Sequence, residues 1–444
     1  MNIRRRALLG ALATAAAPSA RAASAERTRI TIWHSMASAP GEALNKLIAK
    51  FNARQDSVQV TALFKGVYKD LLVSAAAAWR AGEAPHIAQI FEVGTETMMA
   101  AGAAIKPVED LMREAGVPFD PSVYLPAVRG YYSSAKENLA SIPFNSSTCL
   151  CWYNKDAFAR AGLDAEKFPA TWPELVTTAG ALRMAAATKI AMMTSSVVWA
   201  QFEQFSAIHN LPHATEANGF NGLGAELRIN SAAHVRHLER LLAMARAETF
   251  TYTGRDGSGD GPFTAGDAAI DFGSSALRSI LVSSAKFRWA PAFLPYDPEI
   301  IAEPINSVIG GASFWTMTAP GRGAAEYRAV TDFFRFLAEP EQDAEWSAAT
   351  GYIPITFGGA ELMRREGWLE AHPGTDIPLR QLGRGHVTEN SRGFHLGRMP
   401  EIRTIIEEEF EKALNGQQDA KAALDNAVVR GNRVLREFQR SVAG

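Results

Sequence analysis

Residues 29–64 read RITIWHSMASAPGEALNKLIAKFNARQDSVQVTALF, and their pattern decides the architecture. Residues 29–33 are a β-rich run. Leu44, Leu47, Ile48 and Phe51 then recur at i, i+3, i+4 and i+7, one face of a helix. Residues 58–64 read as strand again, 68–80 as helix and 87–91 as a short buried strand. A β-α-β-α-β order predicts an α/β fold with parallel strands and right-handed crossovers. In such sheets ligands sit beyond the carboxyl ends of the strands. Trp33-His34-Ser35, Tyr68 and Glu92 fall at those ends or at helix starts, which marks them as candidates.

Working outward, a second block opens near Ile142-Pro143-Phe144, with a strand over 149–153 and a helix over 155–161. Thr171-Trp172-Pro173-Glu174 is a capping box with proline in the first turn, so a helix runs on toward Arg183. Helical faces follow over 199–208 and 234–246 and around Tyr327, Val330, Phe334 and Leu337. Leu424, Val428, Gly431, Leu435, Phe438 and Val442 form a seam of about three turns, which predicts an amphipathic helix docked on its own domain. No internal repeat or low-complexity linker separates the blocks.

The 444 residues include 45 Lys+Arg and 47 Asp+Glu, a formal charge of −2. No global basic field exists to hold nucleic acid by counterion release, so no nucleic-acid partner is expected and any anion must be bound locally. Arg4, Arg5 and Arg6 precede a mild apolar run over 7–17 and small residues around Ala22. That is a secretory leader over 1–22, and Arg5-Arg6-Ala7-Leu8-Leu9 resembles a twin-arginine export signal. A soluble periplasmic product is expected. The two cysteines, Cys149 and Cys151, stand at i and i+2 of a strand; they read as small buried hydrophobes, not a disulfide or a zinc site.

Enzyme signatures are missing: there is no G-x-S-x-G, H-E-x-x-H, Walker or dinucleotide glycine motif. No catalytic residue and no cofactor is expected. His234 with His237, and His209 with His213, lack a nearby acid at ligand spacing and read as surface or capping residues. Asp256-Gly-Ser258-Gly-Asp260-Gly261, with Asp267 in the twelfth place, imitates a calcium loop. Pro262 and the short acid at the twelfth place speak against it, so a solvated loop and no metal are expected.

A set of motifs then carries a resemblance. Trp33-His-Ser-Met36, Tyr68-Lys-Asp70, Glu92-Val-Gly-Thr-Glu-Thr-Met-Met-Ala100 and Pro143-Phe-Asn-Ser-Ser-Thr148 resemble the periplasmic solute-binding proteins of ABC importers, in particular those for sn-glycerol 3-phosphate. Ile309-Gly-Gly-Ala-Ser-Phe-Trp315, Thr350-Gly-Tyr-Ile-Pro-Ile355 and Leu396-Gly-Arg-Met-Pro-Glu-Ile-Arg403 extend the likeness to the last helices. It implies two α/β lobes, 26–142 with 306–338 and 143–305 with 339–444, joined by a hinge around an interlobe cleft. It implies a ligand set of Tyr68, Glu92, Ser147, Trp199, Ser274, Gly311, Tyr352 and Arg403.

The implied chemistry is coherent. A phosphate needs short donors and a fixed cation, which the hydroxyls and Arg403 could supply, while Glu92 suits vicinal hydroxyls. Individually these residues have plainer readings: Tyr352 and Trp199 as core aromatics, the serines as turn caps, Arg403 paired with Glu407. One position departs from the family pattern, since Ser196 stands where a second tryptophan would line the glycerol side. It is read as the specificity position, leaving open the monoester or glycerophosphodiesters such as glycerophosphocholine. An inner-membrane ABC permease is the implied partner, and a monomer the implied state. A sugar-binding homologue is the alternative within the fold. An exported phosphodiesterase would need metal or nucleophile clusters that the sequence lacks.

Overall fold

The sheet is laid out by where apolar runs end. In the computed structural model, residues 27–255 and 258–443 are described; the leader-like segment and Asp256 of the calcium-like loop lie outside the described residues. Ten strands are β1 (Thr28–His34), β2 (Val58–Phe64), β3 (Ile87–Phe91), β4 (Ile105–Lys106), β5 (Ile142–Asn154), β6 (Ile190–Thr194), β7 (Thr251–Tyr252), β8 (Ala268–Ser274), β9 (Trp289–Ala292) and β10 (Ile309–Met317). Their order is β2-β1-β3-β10-β5-β8-β6-β7, with β4 beside β10 and β9 beside β5. β1 pairs parallel with β2 and β3, as the β-α-β-α-β order requires, and β10 enters antiparallel between β3 and β5.

β5 joins the two halves. Its first part, to Thr148, pairs with β10, and from Cys149 onward it pairs with β8 and β9. All 13 of its residues are buried, so it reads as one apolar run flanking a polar centre, Asn145-Ser-Ser-Thr148. Buried polar residues inside a strand need partners or a ligand. That is the first structural mark of the site.

Two main cores flank this junction. On the β1 side, Ile30, Ile32, Leu44, Leu47 and Phe51 pack with Phe333 and Phe334 of the helix Ala324–Leu337. The helix Pro340–Thr350 lies against the helix Ser38–Arg54, with Lys50–Glu345 at 2.8 Å and Trp346 packed on Phe144 at 4.4 Å. On the β8 side, Trp172 stacks on Phe272 at 5.6 Å, and Cys149 and Cys151 sit among Leu175, Phe205 and Ile402 as free, buried thiols. The Thr171 capping box closes as expected, Thr171 N–H donating to Glu174 at 3.0 Å and Glu174 N–H to Thr171 at 3.4 Å. Such a cap contributes about 1 kcal/mol. The helix Ala420–Ala443 buries Leu424, Leu435 and Phe438 on its own half, and among the described residues no helix is long and apolar enough to cross a membrane.

The histidines differ from expectation. His209, His213, His234 and His237 are buried, not at the surface, and all but His213 gather round the Phe205 ring, with His237 stacked on it at 4.0 Å and His209 at 4.2 Å. Ser206 Oγ lies 2.9 Å from His234 Nε2, and the Asp297 N–H donates to His209 Nε2 at 2.7 Å. Burial lowers them to about 4 for His209 and about 3 for His213 and His234, so the cluster is neutral core. A periodicity argument sees only that His234 and His237 share a face; it does not see that the face points inward.

Candidate ligand-binding site

Register brings four of the predicted residues into a row. Gly310 of β10 stands opposite Ser147 of β5, Cys149 opposite Ser274 of β8, and Phe91 of β3 opposite Ala312 of β10. Glu92, Gly311, Ser147 and Ser274 therefore mark neighbouring strands across the sheet junction. The helix Tyr68–Arg80 starts at Tyr68, and the left-handed Gly351 (φ +77) turns the chain so that Tyr352 faces the same place.

The hydroxyl end is a linked set. Gln89 holds the Ser35 N–H at 2.7 Å and donates to Asn145 at 2.8 Å, and Asn145 Nδ2 donates to the Tyr68 hydroxyl at 2.8 Å. Tyr352 is hydrogen-bonded to both Asn145 and Tyr68. Tyr68 stacks on Phe91 at 5.5 Å and Tyr352 on Trp346 at 5.9 Å, which fixes both rings. Burial pushes both phenols up, so both stay protonated; one donates to the other, which leaves one phenol proton for a ligand. Ser274 Oγ accepts the Ala276 N–H at 3.2 Å, which leaves its own proton to give.

Glycines here are steric requirements. Gly311 has φ +96, and a Cβ there would overlap the Asn145 carbonyl oxygen. That packing alone demands glycine, whether or not its N–H meets a ligand. A Cβ on Gly310 would stand 2.6 Å from the Trp199 indole and 3.3 Å from Ser147 Oγ. Gly310 thus seats Trp199 beside Ser147, a role the sequence reading did not assign. The indole N–H of Trp199 is buried with no partner among the described residues. A buried orphan donor at this point is the second mark of a ligand.

The charged end is the main surprise. Arg403, in the first turns of the helix Met399–Leu414, does not pair with Glu407. Its guanidinium donates to both oxygens of Glu203, at 2.7 and 2.6 Å, and to Glu92 at 2.8 Å. Burial pulls Arg403 down, but Glu203 and Glu92 outweigh it and hold it charged; burial pushes the Glu92 carboxyl up against the pull of Arg403. Arg403 is therefore no free countercharge. Its Nε and Nη2 are taken by carboxylates, so it is not an isolated cation.

Glu203 was not foreseen. It ends a π-helical segment, Val198–Glu203, which widens the turn so that Trp199 faces Gly310 while Glu203 reaches Arg403. Such bulges concentrate at functional sites. The signal in the sequence was an acid inside the apolar stretch Val197-Val-Trp-Ala-Gln-Phe-Glu203. Ser196, just before it, sits half-buried in the left-handed region at φ +47, its carbonyl accepting from Ala200 at 3.0 Å. Of the calcium-like loop's three acids, the two described ones have separate partners, Asp260 accepting from Ser195 and Asp267 pairing with Lys189 at 3.0 Å.

A two-lobed α/β protein with a polar, partly charged cleft at the strand junction belongs to the class that captures small solutes for transport. The match over residues 46–367 is to the bacterial extracellular solute-binding proteins, and the chain belongs to that family. It is 42% identical over 93% of its length to the sn-glycerol-3-phosphate-binding periplasmic protein UgpB of Pectobacterium atrosepticum, covering 93% of that relative. UgpB of Salmonella typhimurium is 42% identical over 93% of this chain and 94% of its own. Among solved structures, UgpB of Mycobacterium tuberculosis in complex with glycerophosphocholine superposes with a TM-score of 0.77 at 20% identity, over 93% of this chain and 99% of that one. The cyclic alpha-maltosyl-1,6-maltose binding protein of Arthrobacter globiformis gives 0.73 at 22%, over 93% and 100%. The homologues are solute-binding proteins, not enzymes.

Proposed function

We propose that the chain binds sn-glycerol 3-phosphate, or a glycerophosphodiester such as glycerophosphocholine, in the periplasm and hands it unchanged, as a monomer, to an inner-membrane ABC permease. The observation that carries the ligand is the split site: neutral donors at one end, an acid-rich guanidinium cluster at the other. The phosphate belongs at the donor end, against the Ser147, Ser274, Tyr68 and Tyr352 hydroxyls and the Trp199 or Gly311 N–H. Neutral donors fixed by packing bind an anion without a buried countercharge, provided each is already oriented. The glycerol hydroxyls belong at Glu92, which accepts from them, with Arg403 fixing the carboxylate.

Closure follows from the same layout. Lobe 1, built on β1, β2 and β3, and lobe 2, built on β6, β7 and β8, meet at β5 and β10, and ligand bridging them shifts the open–closed population. In this reading the helix Pro340–Thr350 moves with lobe 1, because its ion pairs and Trp346 dock there. Calorimetric titration with glycerol 3-phosphate, glycerophosphocholine and maltose tests the ligand. Tight binding of either phosphate compound is expected; heat from maltose alone would move the protein to the sugar-binding branch. Incubation with the diester, followed for released alcohol, should show no turnover. Small-angle scattering should show a smaller radius of gyration with ligand, and an unchanged one would remove the clamp.

A further inference from the structure

A cavity of about 400 Å³ opens on the reverse face of β5. Side chains alternate along a strand, so Leu150 and Trp152 line this cavity while Cys149 and Cys151 face the opposite core. It therefore lies on the opposite face of β5 from Ser147 and meets the candidate cleft only at Tyr352. Three indoles, Trp152, Trp289 and Trp368, give it an aromatic wall. Among them stands Arg278, half-buried, its guanidinium 5.0 Å over the Trp368 ring and with no carboxylate partner among the described residues.

Two buried serines belong to the same lining. Ser275 and Ser347 line the cavity and are 2% exposed, and the Oγ of each has no hydrogen-bond partner among the described residues. Gly351 packs the three residues' backbones together: its N–H bonds the Ser347 carbonyl at 2.9 Å, and a Cβ on it would stand 3.1 Å from both the Ser275 carbonyl and Arg278 Cβ. An unpaired guanidinium with two unsatisfied buried hydroxyls and an aromatic wall is costly unless something binds there. Its volume lies in the range of small-ligand pockets.

We propose that this cavity is a second ligand site, taking a small aromatic carboxylate: the carboxylate on Arg278 with the Ser275 and Ser347 hydroxyls, the ring against Trp289 and Trp368. The cation-fork geometry selects the anion, and the indoles select a flat apolar body. Of the cleft residues only Tyr352 also lines this cavity; the groups that would hold the carboxylate and the ring are outside the cleft set.

Calorimetric titration with indole-3-acetate tests it. One-to-one binding is expected in the wild type and in Trp199→Ala, which alters only the cleft. Arg278→Gln, or replacing the probe by neutral indole-3-acetamide, should weaken it at least about tenfold, the loss of one charge-assisted contact. Ser347→Ala should weaken it less and keeps the test alive if Arg278→Gln folds poorly. No saturation by about 10 mM probe, equal affinity for acid and amide, or loss of binding in Trp199→Ala would each overturn the proposal.

Discussion

At one end of the candidate cleft a guanidinium is enclosed by carboxylates, Arg403 held by Glu203 and Glu92; at the other, Tyr68, Asn145, Tyr352 and the serines present only neutral groups. In the placement proposed above, the phosphate lies at the neutral end, away from this cation. The difference teaches that charge complementarity here is internal to the protein. The carboxylates hold the arginine through Nε and Nη2, and in the proposed placement the ligand's charge is met by oriented dipoles. The two ends should accordingly respond to mutation in different ways.

The largest expected effect is at the charged end. Arg403→Ala leaves Glu92 and Glu203 buried side by side with no cation. Removing one partner of a buried ion pair costs about 3–5 kcal/mol of stability, so the variant should lose melting temperature as well as ligand. A simple countercharge would instead lose ligand with the fold intact. The triple change Arg403→Met, Glu92→Gln, Glu203→Gln removes every charge and should recover stability in thermal melts without recovering binding. Failure of the triple variant to exceed Arg403→Ala in melting temperature would sink the internal-pairing account.

Next in size is Glu92→Gln. Glu203 still holds Arg403 through two bonds, so the fold should stand while glycerol contacts weaken by about tenfold, one charge-assisted hydrogen bond. The pH sign is fixed by burial. A carboxyl raised above its unfolded value is best accommodated when protonated, so wild-type stability from this group falls as pH rises past its unfolded value near 4.5. Glu92→Gln should therefore gain on wild type with rising pH in melts taken from pH 4 to 8. A difference that shrinks with pH would mean that Arg403 dominates the carboxyl.

The two ends were unequally legible in the sequence. Strand and helix spans came through where periodicity was strong: the predicted 68–80 helix and 87–91 strand have the observed bounds. The ligand set came as a resemblance, since Ser147, Ser274 and Tyr352 have no chemistry of their own at those spacings. What sequence could not give was pairing. Nothing local says that Glu203 meets Arg403 two hundred positions away in place of Glu407, because a π-turn and a crossing helix decide it. Nor does a motif show that Gly310 seats an indole, or that Asn145 and Gln89 orient Tyr68. For His234 and His237 the reason is the same: their partner is Phe205 on another helix.

At the neutral end effects should be smaller and confined to binding. Ser147→Ala removes a hydroxyl beside Gly310 without touching any pair, so stability should stay within about 0.5 kcal/mol and affinity should fall by roughly tenfold for a lost contact to a charged ligand. Ser274→Ala should match it in affinity but also lose the turn cap to Ala276, so its melt should be the lower of the two. Calorimetry and melts on the pair separate the contributions. Equal affinity to wild type in both would remove the phosphate from this end.

The smallest effect concerns Ser196, and it sharpens the comparison at the neutral end, where Trp199 stands. Residue 196 precedes the π-segment that carries Trp199, and an indole there would cover ligand carbons that a serine leaves exposed. At about 25 cal/mol per Å² the monoester loses a modest amount of apolar contact, while a diester can place part of its larger substituent in the gap. Trp199 remains to face a choline cation. Wild type should therefore bind glycerophosphocholine at least as well as glycerol 3-phosphate, and Ser196→Trp should shift the ratio toward the monoester. The left-handed backbone at 196 (φ +47) strains any side chain with a Cβ, by roughly 1–2 kcal/mol. That strain is common to both complexes of the variant and cancels in the ratio, so titrating the two ligands into both proteins isolates the contact term. A ratio that does not move would show that the indole has no access to the ligand, and that specificity is set elsewhere in the cleft.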